Sequence, residues 1–115
     1  MAMASTTNVF LVSILLLNLL ISTTSQEEKF CVPKPDTNDQ ALQANIDYAC
    51  GSAGVDCKPI QPGGDCFEPN DLKAHAAFAM HAYYNANGRN DHNCDFAQTG
   101  TFTNQNPSTD KCVFQ

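Results

Sequence analysis

The first 25 residues contain no Lys, Arg, Asp or Glu, and within them Val9 to Ile21 is an apolar run broken only by Ser13 and Asn18. A bilayer-spanning helix takes about 20 apolar residues, so this run is short for one. With no polar face it also makes a poor surface helix of a folded domain. Small polar residues, Ser22-Thr23-Thr24-Ser25, follow it, and then come charged Glu27-Glu28-Lys29. An apolar core, a small-residue zone and a polar start are the order of a secretory signal peptide. Cleavage is expected after Ser25, so residues 1–25 are read as the signal and residues 26–115 as one secreted domain.

Further absences narrow the class. No Asn-x-Ser/Thr acceptor occurs, because Asn106-Pro107-Ser108 is blocked by its proline. No apolar tail follows Cys112-Val113-Phe114-Gln115, so no membrane anchor is expected at that end. No basic block is present: twelve carboxylates stand against six Lys and Arg, a net charge of −6. Such a chain has no electrostatic footprint for nucleic acid or an anionic membrane. No two cysteines have the tight spacing of a structural zinc site, so neither metal nor cofactor is expected.

What is present is a full set of staples. All six cysteines lie beyond residue 30, and a domain of this size buries too little surface to do without cross-links easily. An even count behind a signal peptide reads as a disulfide framework, for which six cysteines leave fifteen pairings open.

Two segments have helical periodicity. In the first, Thr37 to Gln40 reads as a capping box, and Leu42, Asn45, Ile46 and Ala49 then share one face. Gly51 is the expected stop, in a left-handed turn. Asn70, after Pro69, is the expected cap of the second helix. Its inner stripe is Leu72, Ala76, Ala79 and Tyr83, and Gly88 ends it. Glycine and proline punctuate the loop between the helices. Thr99 to Thr103 and Lys111 to Phe114, around a turn-rich stretch, predict a small antiparallel hairpin.

Read in order, these residues resemble a known family. Cys31-Val32-Pro33-Lys34-Pro35, Asp47-Tyr48-Ala49-Cys50-Gly51 and the loop Asp56 to Cys66 are similar to the plant X-eight domain, carbohydrate-binding module family 43. Pro69-Asn70, Tyr83-Tyr84, Cys94-Asp95-Phe96 and Cys112-Val113-Phe114 carry the resemblance to the end of the chain. It implies a small disulfide-rich α+β fold: two packed α-helices with a small antiparallel β-sheet and long loops. It also implies the pairs Cys31–Cys94, Cys50–Cys57 and Cys66–Cys112. Members bind β-1,3-glucans such as callose. The chain resembles the free-standing secreted type, similar to pollen-allergen-like and plasmodesmata callose-binding proteins. The implied function is therefore a secreted, non-catalytic cell-wall module, monomeric, whose partner is β-1,3-glucan and in some settings a glucan endohydrolase. The rivals are a secreted disulfide-rich inhibitor, defence or signalling ligand, and a regulator of a partner glucanase. One departure stands out: many relatives have Trp where this chain, which has no Trp, has Phe30.

A glucan offers hydroxyls and apolar ring faces but no charge, so its site needs exposed aromatic rings flanked by hydrogen-bonding groups. Nine aromatic residues follow residue 25, and core packing competes for each. Helical geometry puts Tyr83 on the inner stripe and turns Tyr84 about 100° away. Tyr48 likewise leaves the inner face of the first helix. Tyr84 and Tyr48 are the expected stacking rings, with Phe67 behind them, although the many alanines of the second helix let both of its sides be covered. Glu68 and Asn85 are the expected hydrogen-bonding groups, with Asn70, Asp71 and Asn87 as neighbours whose capping roles explain them equally well. Hydrolysis needs two carboxylates held across a cleft, and a domain this small offers little scaffold for one. Of the histidines, His75 is expected in the core and His81 outside, so the two form no metal site; Asp91 to Asp95, around His92, reads as a polar turn.

Overall fold

The structure is a computed structural model that describes residues 28–115; the expected signal peptide lies outside the described residues. Strand β1 (Phe30–Pro33) is followed by helix α1 (Asp39–Cys50), a 3-10 turn (Lys58–Ile60), helix α2 (Leu72–Ala86), a second 3-10 turn (Asp91–Cys94) and strand β2 (Gly100–Thr103). The fold is α+β, with two packed helices, one two-stranded antiparallel sheet and three disulfides.

Both helices start one residue later than the sequence signals suggest. Asn38, not Thr37, caps α1, its side chain accepting from the Ala41 N–H at 2.8 Å. Thr37 closes the preceding turn instead, donating its hydroxyl to the Lys34 carbonyl at 2.8 Å, which takes it out of the capping position. At α2 the cap is Asp71, which accepts from the Ala74 N–H at 2.7 Å. The Asn70 N–H is engaged by the Glu68 carboxylate at 3.2 Å. Each cap satisfies an orphan donor of the first turn and places a carbonyl-type oxygen at the positive end of the helix. Gly51 corrects a further expectation: its φ of −82° is right-handed, so α1 ends without a left-handed turn. Gly88, with φ +86°, does take the left-handed conformation after α2.

The sheet has a different partner from the one expected. β2 pairs with β1, in the register Phe30↔Thr103 to Pro33↔Gly100, and not with residues 111–114. The Cys31–Cys94 bond anchors β1 beside the 3-10 turn that leads to β2. The C-terminal segment runs without strand structure, leaving Val113 61% exposed.

Helix α2 is the centre of the molecule. One side meets α1 through Ala76, Ala79 and Met80, beside Leu42 and Ala49. The other is covered by the sheet and the C-terminal segment. Tyr84 packs edge-on under Phe102 at 5.2 Å and below the Arg89 guanidinium at 5.0 Å. His81 lies between the rings of Phe30 and Phe114, 5.2 and 5.8 Å away. Phe30 is buried, so it is a packing position here. Three disulfides close the structure: Cys31–Cys94, Cys50–Cys57 and Cys66–Cys112, the pairs that the resemblance implies.

His81 is a structural hub. Its Nδ1 accepts from the Cys31 N–H of β1 at 3.1 Å, so the proton resides on Nε2, which donates to the Gln115 backbone oxygen at 2.5 Å. One imidazole thus holds both ends of the described chain. The expectation that His81 faces outward fails because the sheet covers the side of α2 opposite α1. Burial pushes its pKa below the ordinary value, against the Gln115 hydrogen bond, which works to raise it; Arg89 lowers it further.

Candidate functional site

Two hollows of the surface carry several aromatic rings: a larger one against Phe78, His81 and Phe114, and the candidate site, lined by Tyr48, Tyr83 and Phe96. The candidate site has a volume of about 430 Å³ and lies where α1, α2 and the segment after Cys94 meet. That volume falls within the roughly 300–1,000 Å³ usual for small-ligand clefts. Tyr48 comes from the last turn of α1, Tyr83 from the last turn of α2, and Phe96 from the loop that follows the second 3-10 turn. Tyr48 is 63% exposed, while Tyr83 and Phe96 are half-buried. The Tyr48 and Tyr83 hydroxyls are 3.5 Å apart and their rings 5.4 Å apart, tilted at 59°. Phe96 meets both rings edge-on, at 6.4 and 5.4 Å. Hydrogen bonding with Tyr83 holds the Tyr48 phenol above its ordinary value, and either hydroxyl can be the donor. His92, Asn93 and Asp95 line the polar side. Asn93 Oδ1 is buried there without a hydrogen-bond partner among the described residues.

Phe96 reaches this position through the backbone. Phe96, Ala97 and Gln98 have φ of 45°, 53° and 68°, three successive left-handed residues of which none is glycine. Such a conformation costs about 1–2 kcal/mol per residue, so its surroundings must enforce it. Before the turn stands Cys94, tied to β1 by its disulfide. After it stands Thr99, whose N–H and hydroxyl both donate to the Phe96 carbonyl, at 3.1 and 2.7 Å. The Thr99 hydroxyl in turn accepts from buried Asn45 of α1 at 2.8 Å, and its carbonyl accepts from the Lys34 N–H at 2.8 Å. Asp95 takes the Gln98 N–H on its carboxylate at 3.2 Å and the Gly100 N–H on its carbonyl at 3.0 Å. Gly100 lies so close that an added Cβ would sit 1.7 Å from the Cys94 carbonyl oxygen, so no other residue fits without moving the turn.

The residues singled out from sequence do not form one site. Tyr48 lies in the groove. Tyr84 is 2% exposed and belongs to the core, whereas Tyr83, expected in the core, lines the groove. Phe67 and Glu68 share a separate hollow with Gly63, Gly64, Asp65 and Lys111, and Phe67 leans on the His75 ring at 5.4 Å. His75 Nε2 lies 2.7 Å from the Phe67 backbone oxygen, which fixes that contact. Asn85 is consumed internally: its amide donates to the Gln115 oxygen at 2.8 Å and accepts from Arg89. Asn70, Asp71 and Asn87 serve the ends of α2, Asn87 donating to the Tyr83 carbonyl at 2.9 Å. Sequence reasoning missed Tyr83, Phe96, His92, Asn93 and Asp95 as a group. The signal was Cys94-Asp95-Phe96 next to a disulfide, in a stretch read as a polar turn.

No group of three or more His, Cys, Asp or Glu among the described residues is arranged to hold a metal ion. No helix among them is long and apolar enough to cross a membrane.

Comparison with known proteins places this architecture. The X8 domain family model matches residues 29–101, which include β1, both helices and the groove rings. The chain belongs to the X8 domain family. This X8 domain is 50% identical over 91 residues to Major pollen allergen Ole e 10 of Olea europaea, a match covering 79% of this chain and 74% of the relative. It is 61% identical over 85 residues to a Glucan endo-1,3-beta-D-glucosidase of the same species, covering 74% of this chain but 18% of the enzyme. Plasmodesmata callose-binding protein 5 of Arabidopsis thaliana is 42% identical over 89 residues, which cover 77% of this chain and 49% of that protein. The chain thus spans less than a fifth of the glucosidase and about half of the callose-binding protein, and the glucosidase match is confined to one part of a larger protein.

Proposed function

We propose that this chain is a secreted, non-catalytic X8 module that binds a single β-1,3-glucan chain of the callose type in the groove formed by Tyr48, Tyr83 and Phe96. The observation that carries the reading is that groove: three rings of which none is charged, one of them largely exposed, bordered by amide, imidazole and carboxylate groups. Apolar sugar faces stack on rings, and sugar hydroxyls meet the phenols and the polar side. The rings are mutually tilted by 59–88°, which suits a curved chain gripped from several sides rather than a flat ribbon lying on one plane. Relatives named for callose binding and for acting on 1,3-β-glucan share the domain, which supports the same sugar here.

On this reading residues 1–25 are a signal peptide, residues 26–115 act as a monomer outside the cell, in the wall, and a glucan endohydrolase working on the same polymer is a neighbour. The test is retention of the oxidised protein on insoluble β-1,3-glucan, with cellulose and chitin as controls. Selective retention that Tyr48→Ala abolishes is the expected result. Absence of retention on any of the three, with all disulfides formed, would overturn the proposal and point to a protein partner.

A further inference from the structure

The two groove tyrosines have a relationship that sugar binding does not require. Their hydroxyl ends face one another, 3.5 Å apart, from two different helices. The protein has three tyrosines, and the third, Tyr84, is 2% exposed beneath Phe102 and Arg89. Tyr48 and Tyr83 are therefore the one tyrosine pair that an oxidant in solution reaches. Other oxidisable groups nearby are closed off: Met80 is fully buried, and no described cysteine is free.

We propose that Tyr48 and Tyr83 form an oxidative modification site, at which a haem peroxidase with hydrogen peroxide joins the two rings by a carbon–carbon bond between the positions ortho to their hydroxyls. Each phenol gives up one electron and one proton and becomes a phenoxyl radical, whose spin is shared with the ortho carbons. The two radicals combine at those carbons. The hydrogen on each newly bonded carbon then moves to the oxygen of its own ring, which restores both phenols. The two electrons and two protons removed convert one hydrogen peroxide to two waters, so the protein is lighter by two hydrogen atoms. The product has its two hydroxyls side by side, the arrangement that the unmodified pair already holds. Exposure of Tyr48 leaves it the rotational freedom to complete the approach. The bond ties α1 to α2 across the mouth of the groove.

The experiment treats dilute, disulfide-intact protein with a haem peroxidase and hydrogen peroxide, with no glucan present, and reads intact mass and dityrosine fluorescence. Monomer lighter by two hydrogen atoms is expected. After reduction, trypsin cuts at Lys73 and so separates Tyr48 from Tyr83; the cross-link appears as the two peptides still joined. Tyr48→Phe is expected to abolish the modified monomer, while Tyr84→Phe leaves its yield unchanged. Products that are only intermolecular, no modified monomer under conditions that couple free tyrosine, or a yield that depends on Tyr84 would each overturn the proposal. Because glucan is absent from the assay, none of these outcomes bears on the sugar-binding reading.

Discussion

Tyr83 and Tyr84 are adjacent in sequence, yet one lines a groove and the other is core. The helical turn separates them by about 100°, which sequence shows; which of the two directions is covered depends on the walls around α2. Both of those directions carry neighbours: α1 ends near Tyr83, leaving it half-buried, while Phe102 closes over Tyr84. Tyr48→Ala is accordingly expected to weaken glucan binding by tenfold or more, about 1.4 kcal/mol, with little change in the unfolding midpoint. Tyr84→Ala is expected to destabilise the fold by about 3 kcal/mol, read by denaturant unfolding, because it removes a fully packed ring. His81 supplies a pH signature. Its folded pKa lies below the ordinary 6.5, so the fold prefers the neutral ring. The stability this confers is complete above about pH 6.5 and is lost as pH falls from there through the folded value, by at most about 1.4 kcal/mol per pH unit. Protonated Nδ1 no longer accepts from Cys31, so β1 is the first element affected. In urea titrations across this range, His81→Gln is expected to flatten the acid side of the profile relative to the parent protein.

At the level of elements, both helices were legible because their signals are local: a capping residue, an apolar stripe and a glycine. The caps moved by one position because Thr37 and Asn70 are engaged by the turns that precede the helices. The sheet was legible as a strand over 99–103, against 100–103 observed, but not as a pair, since pairing is a non-local choice and β1 is four residues long with a proline at its end. Of the groove, Tyr48 was readable from its departure from the α1 face. Phe96 was not, because its placement depends on three left-handed residues that follow neither helical nor strand periodicity. Gly100 is the residue that lets this turn form, and Gly100→Ala tests it. A methyl group there must displace the Cys94 carbonyl, with an expected loss of about 2–3 kcal/mol in stability. Glucan retention is expected to fall beyond that of the destabilised but still folded Tyr84→Ala protein, since Phe96 moves with the turn.

For the whole molecule, the disulfides decide more than stability. Cys31–Cys94 and Cys66–Cys112 span 63 and 46 residues and overlap along the chain. Because the two loops interleave, a single peptide bond cut anywhere between residues 31 and 112 leaves the two pieces covalently joined. A cut before residue 94 is bridged by the first bond, and a cut after it by the second. Singly nicked protein is therefore expected to migrate as one species on a non-reducing gel and to separate into two only after reduction. In the language of graphs, every backbone edge in that interval lies on a closed cycle. A protease in the surroundings can open the chain once without severing the molecule, and the groove can lose the continuity of its backbone while keeping every one of its residues on the same particle.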